Sequence, residues 1–116
     1  MSSASVEDLA TAPCRFIAGD WSTLTDCLGA DAQYSLILSA ETVYNPASYD
    51  VLLRLLRRHL APGGAALFAA KEYYFGVGGG IKDFAEAAET FGEFRAQYVW
   101  TTEQGLRRHI VRVTRV

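Results

Sequence analysis

Two nearly all-apolar runs of strand length flank a helical pattern, and this order of segments limits the possible folds more than any other feature. The runs cover residues 34–39 (YSLILS) and 65–70 (AALFAA), and both are typical of strands buried on their two faces. Between them, apolar residues at positions 49, 52, 53, 56 and 60 follow the period of an amphipathic helix. A strand, a helix and a strand in this order predict a βαβ unit with parallel strands and a right-handed crossover.

The βαβ unit also predicts where a ligand would bind. The sequence Pro62-Gly63-Gly64 is expected to end the helix before the second strand begins. Because parallel strands finish at the same edge of a sheet, residues 39–41 (SAE) and the pair Lys71-Glu72 are expected to lie near each other. Ligands of open α/β sheets bind beyond that edge.

The N-terminal side of this unit is less regular. Residues 1–13 are polar and predict a flexible arm, whereas residues 14–18 are apolar and predict a short strand. A turn at Gly19-Asp20 follows that strand. A short helix is then expected between Ser22, as its N-cap, and Gly29, as its stop.

The C-terminal side predicts one more helix and a pair of antiparallel strands. Apolar residues within 81–91 again have helical spacing, while residues 94–100 and 106–116 are rich in strand-forming side chains. The two runs are expected to form a hairpin. The fold class is therefore α/β, with a mostly parallel sheet that an antiparallel hairpin closes.

Length and charge exclude several function classes. The chain has 116 residues, half of them apolar, which suits one compact domain. Its formal net charge of −2 does not favour a protein that coats nucleic acid or lies on a membrane surface. Neither a membrane span nor a secretory signal is evident. Cys14 and Cys27 are expected to be free thiols in a reducing compartment, the cytoplasm or the nucleus.

A cluster of glycines precedes the third predicted helix, at residues 76–80 (GVGGG). A loop of this kind between a strand and a helix can hold a phosphate. However, Ile81 stands where a dinucleotide-binding fingerprint needs a small residue, and no P-loop lysine follows. The alternative is a flexible or close-packed turn that enters the helix.

Two further segments have both a binding and a structural interpretation. Gly19-Asp20-Trp21 offers a carboxylate and an indole that could hold a purine, but it could also be an ordinary turn with a buried tryptophan. Residues 39–46 (SAETVYNP) are polar and follow a buried strand, as ligand-facing loops do. Within them, Asn45-Pro46 could simply form the turn that starts the next helix.

The histidines and the C-terminal arginines carry no clear chemical signal. His59 and His109 have no cysteine or carboxylate constellation beside them in the sequence, so no metal site is predicted. The hairpin is locally basic, which most often means a solvated face; its arginines stand at positions 107, 108, 112 and 115.

Taken in order, three segments and an arginine pair resemble the C-terminal part of the protein-histidine N-methyltransferases. The segments are residues 14–21 (CRFIAGDW), 34–46 and 71–80 (KEYYFGVGGG), with Arg107-Arg108 in the last strand. These enzymes are class I S-adenosylmethionine-dependent methyltransferases of the type that methylates a histidine of a large-subunit ribosomal protein. The resemblance implies a protein substrate and S-adenosylmethionine as the cofactor.

The resemblance also implies a role for individual residues. Gly19, Asp20 and Trp21 would form the adenine end of the cofactor pocket, and Ser39 and Ala40 would pass beneath the methionine portion. The expected catalytic residues are Glu41 and Asn45, which would orient the reacting imidazole, and Tyr74, which would lie near the incoming ring. In this interpretation the glycine-rich loop lines the substrate side and binds no phosphate.

Some features depart from the family pattern. Ser35 stands where the family usually has an aspartate, and Ala40 stands where it usually has a serine. The resemblance implies that residues 14–116 are a partial domain, the C-terminal half of a Rossmann-like sheet with its first two strands missing. The isolated chain is therefore expected to be a weak or inactive enzyme.

Two other functions stay open at this point. One is a truncated, non-catalytic form that acts as a protein-binding module through its substrate-facing loop. The other is a different Rossmann-like nucleotide-binding protein that uses the glycine-rich loop, although Ile81 does not suit that loop.

Overall fold

The computed structural model describes residues 14–116, and the arm predicted for residues 1–13 lies outside them. A single 3-10 turn, Trp21–Thr23, precedes the first helix. The helices are α1 (Leu24–Leu28), α2 (Tyr49–His59) and α3 (Ile81–Thr90). The strands are β1 (Tyr34–Ala40), β2 (Leu60–Lys71), β3 (Phe94–Thr101) and β4 (Arg108–Arg115).

The four strands form one mixed sheet in the order β1-β2-β4-β3. β1 and β2 are parallel and joined through α2. In their register, Ile37 pairs with Ala66 and Ser39 pairs with Phe68. β4 lies antiparallel to both β2 and β3. The parallel pair and the antiparallel hairpin predicted from the sequence are thus confirmed. The prediction of a mostly parallel sheet is wrong for the described residues, because one of their three strand pairs is parallel and two are antiparallel.

The core lies between one face of the sheet and the helices α2 and α3. Phe84 of α3 packs against Phe68 of β2, with ring centroids 4.6 Å apart, and against Tyr49 of α2 at 5.5 Å. Burying one such side chain contributes about 1.5–3 kcal/mol. The helical spacing predicted for α2 is confirmed by its buried residues, Tyr49, Leu52, Leu53, Leu56 and His59.

The prediction that β1 is buried on both faces is wrong. Leu36 and Leu38, whose side chains share the face away from α2 and α3, are 56% and 70% exposed. Among residues 14–116, the helices that pack on the sheet lie on the opposite face, with Phe68 and Val111. The apolar sequence of β1 therefore indicated two faces suited to burial, and the described residues cover only one of them.

The strand predicted for residues 14–18 is also absent from the described structure. These residues have no regular secondary structure, and Phe16 is 95% exposed. A strand needs a hydrogen-bonded neighbour, and no described strand lies beside this segment. Instead, Arg15 Nη2 donates a hydrogen bond to the carbonyl oxygen of Cys27, 2.7 Å away, at the end of α1.

The Pro62-Gly63-Gly64 sequence does not end the helix as predicted. α2 ends earlier, at His59, and these three residues lie inside β2. The pairing with β1 changes register here, and a Cβ atom on Gly64 would lie 2.9 Å from the carbonyl oxygen of Ser35. The glycine is thus required by a close approach between two strands.

Ser22 is not the N-cap of the first helix as predicted: Thr23 stands at the N-cap position of α1 and makes no side-chain capping bond. Asp20, rather than Ser22, caps the 3-10 turn, because its Oδ1 accepts a hydrogen bond from the Ser22 backbone N–H at 2.9 Å. Gly29 ends α1 as expected, at a φ of 95°. Within the described part of the chain, no helix is long and apolar enough to cross a membrane.

Candidate active site

Several chain segments meet where the parallel strands end. The backbone N–H of Glu41, just beyond β1, donates to the carbonyl oxygen of Ala69 in β2 at 2.9 Å. β4 runs the other way and begins at the same edge, where Arg108 pairs with Lys71. The proximity predicted for the ends of β1 and β2 is confirmed, and β4 adds an arginine to it.

The Glu41 carboxylate is held from two sides. Arg108 Nη1 lies 2.5 Å from Oε1, and the Tyr74 hydroxyl donates a short hydrogen bond to Oε2. Glu41 also has a φ of 60°, the left-handed conformation that costs a non-glycine residue about 1 kcal/mol. The side-chain contacts therefore hold a backbone conformation that the residue would not adopt readily on its own.

The contacts fix the protonation states of this pair. Partial burial acts to raise the pKa of Glu41, but the hydrogen bonds from Tyr74 and Arg108 outweigh it and hold that pKa below its ordinary value. Burial, together with the hydrogen bond to Glu41, raises the pKa of Tyr74. At neutral pH the site therefore contains a carboxylate and a neutral phenol.

Tyr74 is itself fixed by its surroundings. Its hydroxyl oxygen accepts a hydrogen bond from the Lys71 backbone N–H at 3.2 Å. The Lys71 ammonium lies 5.4 Å from the centre of the tyrosine ring, and Tyr44 meets the ring edge-on at 6.1 Å. These contacts orient the hydroxyl towards Glu41 from the loop that follows β2.

Asn45 does not join Glu41 and Tyr74. Its side-chain oxygen accepts a hydrogen bond from the backbone N–H of Ala47 at 3.0 Å, and it thereby caps the 3-10 turn Pro46–Ser48 that leads into α2. The structural interpretation of Asn45-Pro46 is therefore the one observed. Of the three predicted catalytic residues, Glu41 and Tyr74 are brought together and Asn45 is not.

The glycine-rich loop is closely packed where it enters α3. A Cβ atom on Gly80 would overlap the carbonyl oxygen of Glu72, and one on Gly79 would overlap that of Tyr44. The buried Tyr49 hydroxyl accepts from the Gly80 N–H at 2.9 Å and lies 3.0 Å from the Gly80 carbonyl oxygen. These two glycines are needed for contact between the loops beyond β1 and β2.

Two of the five residues predicted to bind the cofactor line a groove of about 300 Å³ beside β1. Trp21 and Ser39 both line it, with side chains of α1, α2 and β1. Gly19 and Asp20 directly precede Trp21 in the chain, whereas Ala40 is not part of the lining. The Ser39 hydroxyl lies 2.5 Å from that of Thr42.

The chemistry of the groove fits part of S-adenosylmethionine. Its lining is mostly apolar, which suits a flat aromatic ring, and the volume is at the lower end for a small-molecule site. Hydrogen bonds to Ser22 lower the pKa of Asp20, which therefore remains a carboxylate at neutral pH. The histidine in the lining, His59, is already bonded to Thr25 and to the Ala32 carbonyl.

Sequence reasoning missed the role of two residues at the start of β4. Arg108 was expected on a solvated face and instead contacts Glu41, while His109 Nε2 lies 3.2 Å from Glu72 Oε1. Both carboxylates are far from β4 in the sequence. The available signal was topological: a strand antiparallel to β2 begins where β2 ends, so its first side chains reach the loops there.

The other charged and sulfur-containing groups do not form a metal site within residues 14–116. No group of three or more histidine, cysteine, aspartate or glutamate side chains comes close enough there to hold an ion. Cys14 and Cys27 are exposed free thiols. Arg115, another arginine of the basic hairpin, donates to carbonyl oxygens at the end of α2, including that of Leu60 at 2.7 Å.

The chain is similar to curated histidine methyltransferases over most of its length. It is 36% identical over 107 residues to "Histidine protein methyltransferase 1 homolog" of Rattus norvegicus, and 35% identical over 102 residues to the protein of that name in Dictyostelium discoideum. A third relative, "Histidine protein methyltransferase 1" of Schizosaccharomyces pombe, is 37% identical over 75 residues. No protein-family model matches the chain.

These alignments cover unequal shares of the two partners. They include 90%, 86% and 61% of this chain, but only 30%, 33% and 22% of the rat, Dictyostelium and yeast proteins. The chain thus spans about a third of the length of the relatives that it matches. The resemblance to protein-histidine methyltransferases, first seen in the motifs, is confirmed.

Proposed function

We propose that this chain contributes the substrate-facing part of an S-adenosylmethionine-dependent protein-histidine N-methyltransferase. The observation that carries the proposal is the Glu41 carboxylate, held by Arg108 and Tyr74 just beyond the ends of two parallel strands. The similarity to relatives named as histidine protein methyltransferases supports the same reaction.

The proposed architecture is a Rossmann-like sheet in which further strands lie beside β1. Two observations support it. β1 is the last strand on its side of the described sheet, and Leu36 and Leu38 expose apolar surface next to that edge. Residues 14–116 would then be a partial domain, and the isolated chain would bind the cofactor weakly and have little activity.

S-adenosylmethionine would supply an electrophilic methyl group on a sulfonium centre. In the proposed arrangement, Asp20 and Trp21 would hold the adenine end, Asp20 as an acceptor for the exocyclic amine and Trp21 through its ring. Ser39 and Ala40 would hold the methionine portion. The apolar groove that Trp21 and Ser39 share supports this assignment.

The acceptor would be a neutral imidazole of a protein substrate. One ring nitrogen would form the new bond to the methyl carbon, the sulfur–carbon bond would break, and its electron pair would remain on sulfur. The resulting imidazolium then loses its N–H proton to solvent. Such a displacement depends mainly on positioning, which Glu41 and Tyr74 provide.

The proposed substrate is a large-subunit ribosomal protein, by resemblance to the methyltransferase family. The proposed location is the cytoplasm or the nucleus. Two exposed free thiols, Cys14 and Cys27, suit the reducing conditions of those compartments.

A second function, a non-catalytic protein-binding module, is favoured by one observation. Phe75, on the loop between β2 and α3, is 91% exposed and offers an apolar side chain to a partner. This alternative predicts that the chain captures large-subunit ribosomal proteins without methylating them, and that Phe75→Ser abolishes the capture.

The proposed activity is tested with a chimera. Residues 14–116 replace the matching segment of the rat relative, and methylhistidine is measured in ribosomal proteins after incubation with labelled S-adenosylmethionine. The expected result is labelled methylhistidine. A folded chimera that binds the cofactor but labels no histidine would contradict the proposal and leave the binding module as the function.

A further inference from the structure

We propose that Arg108 is a positioning residue that holds Glu41 as the hydrogen-bond acceptor for the N–H group of the substrate imidazole. The inference rests on the proposed function and adds a role that neither the motifs nor the relatives' names assign. It starts from the way in which β4 contacts the loops that follow β1 and β2.

The first two residues of β4 bind the two loops from opposite faces of the sheet. On the open face, Arg108 contacts Glu41, which follows β1. On the helix face, the next residue, His109, contacts Glu72, which follows β2, and its other ring nitrogen lies 2.7 Å from the Thr101 hydroxyl. The first two residues of β4 thus fix one carboxylate on each face of the sheet.

The two carboxylate contacts differ in access. The His109 and Glu72 side chains are 8% and 25% exposed, so their contact lies largely inside the protein. The Arg108 and Glu41 side chains are 47% and 45% exposed, so a substrate can reach them. Only the contact on the open face is therefore suited to act on a ligand from outside.

Glu41 is fixed without being saturated. Arg108 engages Oε1 and Tyr74 engages Oε2, but each carboxylate oxygen has two lone pairs. Each oxygen thus keeps one lone pair that can accept a further donor at a defined position. The positive charge of Arg108 also keeps the group ionised, and therefore an acceptor, when a substrate partly displaces water.

An acceptor at this position would select one form of the imidazole. A neutral imidazole carries a proton on one nitrogen and a lone pair on the other. If Glu41 accepts the N–H, the lone pair of the other nitrogen faces away from the carboxylate, free to attack a methyl group. Arg108 would act through Glu41 and touch neither reactant.

The test uses the full 116-residue chain and small probes, and it does not require catalysis. The probes are N-acetylhistidine methylamide and its two ring-N-methylated forms, which lack the N–H donor. Binding is followed by NMR through the ring signals of Tyr74 and Tyr44, at about pH 8, where the imidazole is neutral. The variants are Arg108→Gln, Arg108→Lys and, as a matched control, Arg112→Gln.

Arg112 is a suitable control because it lies on the same strand and the same face. It is exposed, and within residues 14–116 it has no carboxylate partner. We expect Arg108→Gln to weaken binding of the unmethylated probe about tenfold, as for loss of one charge-assisted interaction. Arg108→Lys should recover part of the affinity, and Arg112→Gln should change nothing.

Two results would overturn the inference. One is equal binding of the methylated and unmethylated probes, which would show that no N–H group is recognised. The other is unchanged affinity in a folded Arg108→Gln chain. Loss of methylhistidine formation in the chimera, with probe binding intact, would instead count against the proposed activity alone.

Discussion

The two faces of the sheet differ in how far their apolar side chains are buried. On the covered face, Val111 and Val113 of β4 are fully buried beneath α2 and α3. On the open face, Leu36 and Leu38 of β1 are largely exposed, although β1 (YSLILSA) is more apolar than β4 (RHIVRVTR). The difference shows that the described helices cover one face of the sheet and leave apolar side chains of β1 exposed on the other.

The same contrast separates buried polar contacts from half-exposed ones. The covered face contains the buried hydroxyl of Tyr49 and the pair His109–Glu72, all held by internal hydrogen bonds. The open face contains the half-exposed pair Glu41–Arg108. Stability is therefore expected to depend on the covered face and substrate recognition on the open one, which the following variants test.

The largest effect is expected in the core of the covered face. Phe84→Ala removes a side chain that packs against Phe68 and Tyr49, and it should lower the free energy of unfolding by about 3–5 kcal/mol. Leu38→Ala on the open face should cost less than about 0.5 kcal/mol. Urea denaturation of both variants measures the difference, and equal losses would contradict the contrast.

A smaller loss is expected from removal of one buried hydroxyl. Tyr49→Phe leaves the Gly80 N–H without its partner and should cost about 1–3 kcal/mol. Tyr98→Phe is the control, since its hydroxyl has no hydrogen-bond partner among the described residues, and its effect should stay within about 0.5 kcal/mol. Thermal unfolding of the two variants would refute this assignment if Tyr98→Phe proved the more harmful.

The open-face ion pair should make a pH-dependent contribution. Because the pKa of Glu41 is lowered from its ordinary value of 4.5, the pair stabilises the fold above that pH. The contribution is lost as the pH falls through the lower pKa of the folded state. Arg108→Gln should therefore cost up to about 1 kcal/mol at neutral pH, and the difference from the unchanged chain should shrink in acid.

Urea denaturation of the two chains at neutral and acidic pH measures this contribution. Arg112→Gln, which removes a charge from the same strand without breaking this pair, is the control. A stability difference for Arg108→Gln that grows as the pH falls would show that the sign is wrong.

The smallest effect on stability is expected where an apolar side chain is already exposed. Leu38→Ser should leave the free energy of unfolding unchanged within about 0.5 kcal/mol, but it should reduce the binding of a hydrophobic dye. Dye fluorescence follows the exposed apolar surface, and denaturation follows the free energy of unfolding, so the two effects are measured separately. Unchanged dye binding would mean that the apolar surface lies elsewhere.

Local periodicity explains which elements could be predicted from the sequence. The stripe of α2, the run of β2 and the hairpin are specified by side chains close to one another in the chain. The prediction of a strand at residues 14–18 was wrong because a strand also needs a hydrogen-bonded neighbour. A local sequence pattern does not show whether such a neighbour is present. The register change at Gly64 depends likewise on the approach of Ser35.

The candidate site was predictable in part for the same reason. Parallel strand ends bring Glu41 and Lys71 together, and that follows from topology alone. The use of Asn45 as a cap and the pairing of Glu41 with Arg108, 67 positions away, depend on side-chain geometry. Charge patterns within the hairpin could not indicate which arginine would find a carboxylate.

The most direct test is the rate of methylhistidine formation by the chimera, compared with its Glu41→Gln and Arg112→Gln variants. The account predicts that Glu41→Gln lowers the rate about 100-fold, since a displaced imidazole is poorly aligned, while Arg112→Gln keeps the full rate. A folded Glu41→Gln chimera as active as the unchanged one would contradict the assignment of this carboxylate to the site of methyl transfer.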